Sequence, residues 1–105
     1  MIRVLAALGV VLAAMSQARA DERPVADGRA LIEANCAQCH ATGSTDASPH
    51  PDASPLRTLS QRYPIESLEE ALAEGLSTGH PDMPEFVAAP EQIGAIIAYI
   101  KSLNP

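Results

Sequence analysis

Apolar positions in this chain recur at helical intervals in three stretches, and nowhere alternate strictly with polar ones as a half-buried strand requires. The first stretch runs from about Pro24 to Gln38. Pro24 suits a first helical turn, where its missing N–H has no partner to lose. Leu31, Ile32 and Cys36 fall on one side, and Thr42-Gly43 predicts the end. The second covers Ile65 to Leu76. Leu68, Leu72 and Leu76 repeat at four-residue steps, Ser67-x-x-Glu70 has the pattern of a capping box, and Gly75 and Gly79 interrupt it. The third is the clearest. Pro90 and Glu91 open it, Ile93, Ile96, Ile97 and Ile100 form an i, i+3, i+4, i+7 stripe, Lys101 suits the negative end, and Asn104-Pro105 closes it. Thr42 to Ser54 is rich in Ser, Thr, Pro, Asp and His and reads as loop. A short helical turn is expected at Pro55 to Arg62. No internal repeat is apparent. The pattern predicts an all-α fold.

The opening residues belong to a different kind of segment. Arg3 supplies a positive start, Val4 to Met15 is an apolar run with one Gly, and Ala18-Arg19-Ala20 has the A-x-A form of a cleavage site. The run is too short for a stable transmembrane helix. Residues 1–20 therefore read as a secretory signal peptide, with an uncleaved anchor as the alternative. The mature domain is expected at 21–105, exported to a bacterial periplasm without stable membrane insertion.

Cys36-Ala37-Gln38-Cys39-His40 carries the candidate chemistry. C-x-x-C-H is the haem-attachment signature. Thiols three apart on neighbouring turns of one helix can both reach the vinyl groups of a single porphyrin. His40 then falls under the ring and can offer an imidazole nitrogen to the iron. A thioredoxin-type redox pair would want a preceding strand and a βαβ context, and none is visible. A zinc site would want a second ligand pair, and the chain has only two cysteines.

Composition fits that reading. Without the leader 85 residues remain, with no Trp, one Phe and two Tyr, which is little aromatic mass for a core. One covalent haem would supply a large apolar centre and two crosslinks. Without Arg3 and Arg19, five basic residues face thirteen acidic ones, a net charge of −8. Such a surface repels nucleic acid and anionic lipid and is steered toward a partner with a basic docking patch. Acidity that only keeps an exported protein soluble is the plainer explanation.

The iron's second face needs a ligand, and Met83, His80 and His50 are the candidates. Met83 lies in Gly79-His80-Pro81-Asp82-Met83-Pro84-Glu85-Phe86, between the second and third helices. Two prolines restrict that backbone and so fix where the sulfur points. A thioether is neutral and soft, so it favours Fe(II) and raises the potential relative to a second imidazole. A buried, gap-filling Met is the alternative, but Met83 belongs to no helical stripe. His80 is expected at the surface or near a haem carboxylate.

From about Asp27 to its end the chain resembles the class I c-type cytochromes, in their small bacterial monohaem form. The resemblance implies a fold of three main helices and short helical turns around one covalent haem c. It implies thioether bonds at Cys36 and Cys39, with His40 and Met83 as the iron's ligands. Gly28, eight before Cys36, matches the family's small residue where the first and last helices cross, and Ile32, Ile96, Tyr99 and Ile100 would complete that crossing. Ser54-Pro55-Leu56 resembles the family's Gly-Pro-x-Leu segment with one residue fewer. It implies that the Pro55 carbonyl accepts the His40 hydrogen bond. Arg62, with Tyr63, stands where the family holds a haem propionate. Mitochondrial relatives ring the haem edge with lysines; this chain has one lysine, so its partners must differ.

With both axial positions filled, the implied function is outer-sphere transfer of single electrons between redox proteins, with no enzymatic activity. The alternatives are a cytochrome subunit of a dehydrogenase or oxidase, and a haem sensor or enzyme with a labile Met83.

Overall fold

The computed structural model describes residues 22–76 and 79–104. The leader expected at 1–20 lies outside the described residues. Helix α1 covers residues 22–35, and its length puts the end three residues before the predicted Gln38. The reason is local. The Cys36 N–H keeps a helical bond to the Ile32 carbonyl at 2.7 Å, but the Ala37 N–H turns to that same carbonyl at 3.2 Å. Sharing one acceptor breaks the i−4 register, and residues 36–39 become a hydrogen-bonded turn rather than helix.

A 3-10 helix at Leu56–Gln61 occupies the predicted short turn. Helix α2 is Glu66–Glu74 and helix α3 is Pro90–Ser102. The expected capping box does not form. The Ser67 N–H donates to the Pro64 carbonyl at 3.0 Å, so Ser67 already lies within the first turn and cannot cap it. Ile65 is the N-cap and contributes no side-chain bond, while Glu66 and Glu69 place negative charge at the helix's positive end. Gly75 follows α2 with φ 102°, a conformation that costs a side chain dearly. At α3, Pro90 takes the first turn and the Gln92 side chain accepts the Ala89 N–H at 2.9 Å. The described residues hold no strand, only an isolated bridge between Leu76 and Phe86.

The core is aliphatic. Ile32 from α1, Leu56, Ile65, Leu68 and Leu72, and Ile93, Ile96, Ile97, Tyr99 and Ile100 from α3 form one buried cluster. Cys36, Leu59 and Phe86 pack against it half-buried. The α1–α3 crossing is set at Gly28. A Cβ there would lie 1.9 Å from the Ala95 carbonyl oxygen and 3.0 Å from the Tyr99 Cβ. The last helix therefore touches the first helix's bare backbone. Two further bonds hold α3 and its end in place. The Tyr99 hydroxyl donates to the Thr42 carbonyl, and Asn104 Nδ2 to the Arg57 carbonyl at 2.6 Å. On the surface, Lys101 meets Glu66 at 2.8 Å, and this hydrogen bond holds the Glu66 carboxyl below the usual carboxylate range.

Two outcomes follow. Gly28→Ala must push backbone against backbone, so denaturant unfolding should show a loss of about 2 kcal/mol or more. Glu66→Gln should lower the melting temperature near neutral pH. A carboxyl with depressed pKa stabilises above its unfolded pKa and loses that contribution as pH falls, so the difference from wild type should vanish in acid.

Candidate functional site

The site is built where α1 runs out. The His40 N–H donates back to the Cys36 carbonyl at 2.9 Å, so Cys36, Cys39 and His40 share one tight turn. The chain then folds back. Buried Ala41 donates its N–H to Ser48 Oγ at 2.9 Å and accepts the Leu56 N–H at 3.0 Å. That closure brings residues 54–56 beside the turn. The His40 Nδ1 lies 2.7 Å from the Ser54 carbonyl. A carbonyl can only accept, so Nδ1 carries the proton and the Nε2 lone pair is left for a metal.

This corrects the expected acceptor. The carbonyl that meets His40 belongs to Ser54, not Pro55. The Pro55 carbonyl instead accepts the Thr58 N–H at 3.0 Å and Thr58 Oγ1 at 2.8 Å, as the start of the 3-10 helix demands. The spacing of Ser54-Pro55-Leu56, one residue short of the family pattern, shifts the register by one carbonyl.

Both cysteines are unpaired thiols and half-buried. Burial pushes the Cys36 thiol above its ordinary pKa. A thiol pair kept out of a disulfide, one member against the aliphatic core and both within a turn of an imidazole with a fixed tautomer, fits thioether attachment of a haem at Cys36 and Cys39 with His40 beneath it. The chemistry of this donor set suits iron on the imidazole side.

Met83 is half-buried in a turn, its N–H donating to the His80 carbonyl at 3.2 Å. The bridge between Leu76 and Phe86, with the Leu76 N–H on the Phe86 carbonyl at 3.0 Å, closes the segment that carries it. The other two candidate ligands are engaged elsewhere. His50 Nδ1 accepts the Asp52 N–H at 3.1 Å, and His80 Nδ1 accepts the Asp82 N–H at 3.3 Å. Each ring therefore carries its proton on Nε2 and presents N–H rather than a lone pair to its surroundings. Those Nε2 atoms face carboxylates, His50 toward Asp82 at 3.0 Å and His80 toward Asp52 at 3.6 Å.

Arg62 is exposed at the end of the 3-10 helix, where its backbone N–H donates to the Leu59 carbonyl. The arginine that organises the neighbourhood is Arg57, which sequence reasoning passed over. Its half-buried guanidinium donates to the Asp46 carbonyl at 2.7 Å and the Gly43 carbonyl at 3.4 Å. Asp46 in turn accepts the Thr42 and Gly43 N–H groups at 3.2 and 2.9 Å. Together they lock the turn after His40. The one available signal was Asp46 three and four residues after a Thr-Gly pair, the spacing of a side chain that folds onto its own backbone.

A family model described as cytochrome c matches residues 25–104. Cytochrome c-552 of Bradyrhizobium diazoefficiens is 32% identical over 96 residues, which cover 91% of this chain and 90% of that protein. No solved structure matches the chain. The Arg57 clamp yields a direct outcome: Arg57→Ala should lower stability by about 1–2 kcal/mol and speed amide exchange at Gly43, the two being read by unfolding and by NMR.

Proposed function

The chain belongs to the cytochrome c family, and from that premise we propose that it is a periplasmic carrier of single electrons whose haem iron is held by His40 and Met83. The family's haem c is bound covalently, here through Cys36 and Cys39, and when bound it supplies an Fe(III)/Fe(II) couple. The observation that carries the reading is the His40 imidazole, anchored through Nδ1 to the Ser54 carbonyl directly after two free thiols.

Each residue has a separate task. Cys36 and Cys39 fix the group in place and in orientation. The Ser54 carbonyl holds the imidazole's tautomer and, by drawing on the Nδ1 proton, makes Nε2 a stronger donor. Met83 offers a neutral sulfur that favours the reduced metal. Ile32, Leu56, Ile96 and Ile100 exclude water, which limits the solvent rearrangement that accompanies each electron. The acidic exterior steers encounters toward a basic patch on a redox partner, and weak docking over a small area suits a carrier that must leave quickly. With His40 and Met83 both holding the iron, a substrate would find no open position there, which favours an electron carrier over an enzyme.

The test is spectroscopic. Holoprotein made in a host that attaches haem should be low-spin in both redox states and bind carbon monoxide poorly. Met83→Ala should abolish the far-red iron–sulfur band, open the sixth site to carbon monoxide and lower the midpoint potential by on the order of 100 mV. A band unchanged in that variant would assign the ligand to another residue.

A further inference from the structure

The tripeptide His-Pro-Asp occurs twice, at 50–52 and 80–82. A three-residue repeat is too short to register as a structural period, yet both copies fold the same way. In each, proline fixes the middle of the turn and removes a competing N–H, so the aspartate N–H reaches the histidine Nδ1 of its own tripeptide. In each, the proton that remains on Nε2 points at the aspartate of the other tripeptide. The two rings meet edge to face, with centroids 5.7 Å apart and planes at 86°. The two cross-contacts are unequal: His50 Nε2 hydrogen-bonds Asp82 at 3.0 Å, whereas His80 Nε2 stands 3.6 Å from Asp52, a charge-pair contact beyond hydrogen-bond reach.

We propose that these turns form a crossed clasp that positions Met83 on the iron, with His50, Asp52, His80 and Asp82 as positioning residues. The inference rests on Met83 as the sixth ligand. The clasp joins the two sides of the site. The His50 N–H donates to the Cys39 carbonyl at 3.1 Å, and His50 Nε2 donates to Asp82 at 3.0 Å, immediately before Met83 in the chain. Two hydrogen bonds thus connect a haem-attachment residue to the neighbour of the distal ligand. Two imidazoles and two carboxylates could suit a divalent cation, but both Nε2 lone pairs are taken up by protons under this hydrogen-bond pattern. Mutual pairing of the two turns is what the donor and acceptor count favours.

The clasp is a surface device. The Asp82 and Asp52 side chains are 65% and 68% exposed, so neither pair alone holds the loop firmly. Its loss should raise the population of loop-open molecules without unfolding the protein. Exogenous imidazole reports that population, because it binds ferric iron only after Met83 has left. His50→Ala should accelerate imidazole binding to the ferric holoprotein about fivefold, the factor set by one partly exposed hydrogen-bonded pair. Asp82→Ala should do the same, and the double variant should be no faster than either, since both remove one interaction. His50→Gln, which keeps an N–H to donate, should recover much of the wild-type rate. Lys101→Ala breaks a surface ion pair at Glu66 that lies outside the clasp and should leave the rate unchanged. A wild-type rate in His50→Ala, additive single effects, or an equal acceleration in Lys101→Ala would overturn the clasp. Absence of the far-red iron–sulfur band from unmutated ferric protein would overturn the Met83 assignment itself, a failure seen before any clasp variant is made.

Discussion

The arrangement of this molecule depends on how closely two helices approach at a residue with no side chain. Where Gly28 of α1 meets Ala95 of α3, even a methyl group would overlap a backbone carbonyl. That closeness buries Ile32 and Tyr99, and the Tyr99 hydroxyl then reaches the Thr42 carbonyl just past the haem-binding turn. The C-terminal helix thereby holds the segment on which His40 stands. Because α1 ends one residue before Cys36, any slip of α1 along α3 would carry the cysteines with it. Packing at one end of the chain and chemistry at the other are the same constraint.

Three helices, the loop between the first two and the short turn at Leu56–Gln61 were legible because apolar spacing and proline position encode them locally. The cysteines and His40 stood out because their spacing is itself the chemistry. What could not be read depends on registers that differ by one or two residues. Ser67 has the composition of a cap, but the chain enters α2 two residues earlier, with Ile65 as the N-cap. Pro55 has the family's position, but the shortened segment presents the Ser54 carbonyl instead. Arg57 and Arg62 both fall within the short helical turn expected at Pro55 to Arg62, and only the fold decides which one faces the turn at Gly43–Asp46. His50 and His80 were weighed only as alternatives to Met83, with His80 expected at the surface or near a haem carboxylate, because nothing in a linear sequence shows that two tripeptides thirty residues apart meet.

Charge and core play separate parts. The buried cluster contains no charged side chain, and the acidic groups lie on the outside, where they cost little and repel one another weakly through water. The few cations are mostly committed. Arg29 pairs with Glu33 at 2.9 Å, Arg57 with Asp46 at 3.6 Å, and Lys101 with Glu66. The net charge of the domain therefore stays strongly negative, and a basic partner is the one its field favours.

The small bridge between Leu76 and Phe86 has a consequence for how the molecule fails under stress. By tying Leu76 to Phe86, it closes the loop that carries Met83 into a short excursion, and closing a short loop costs little entropy. Short loops closed in this way are commonly among the units that open below the free energy of global unfolding. Under the proposed Met83 ligation, the thioether would then leave the iron as a separate step before the helices part, and redox tuning would fail first.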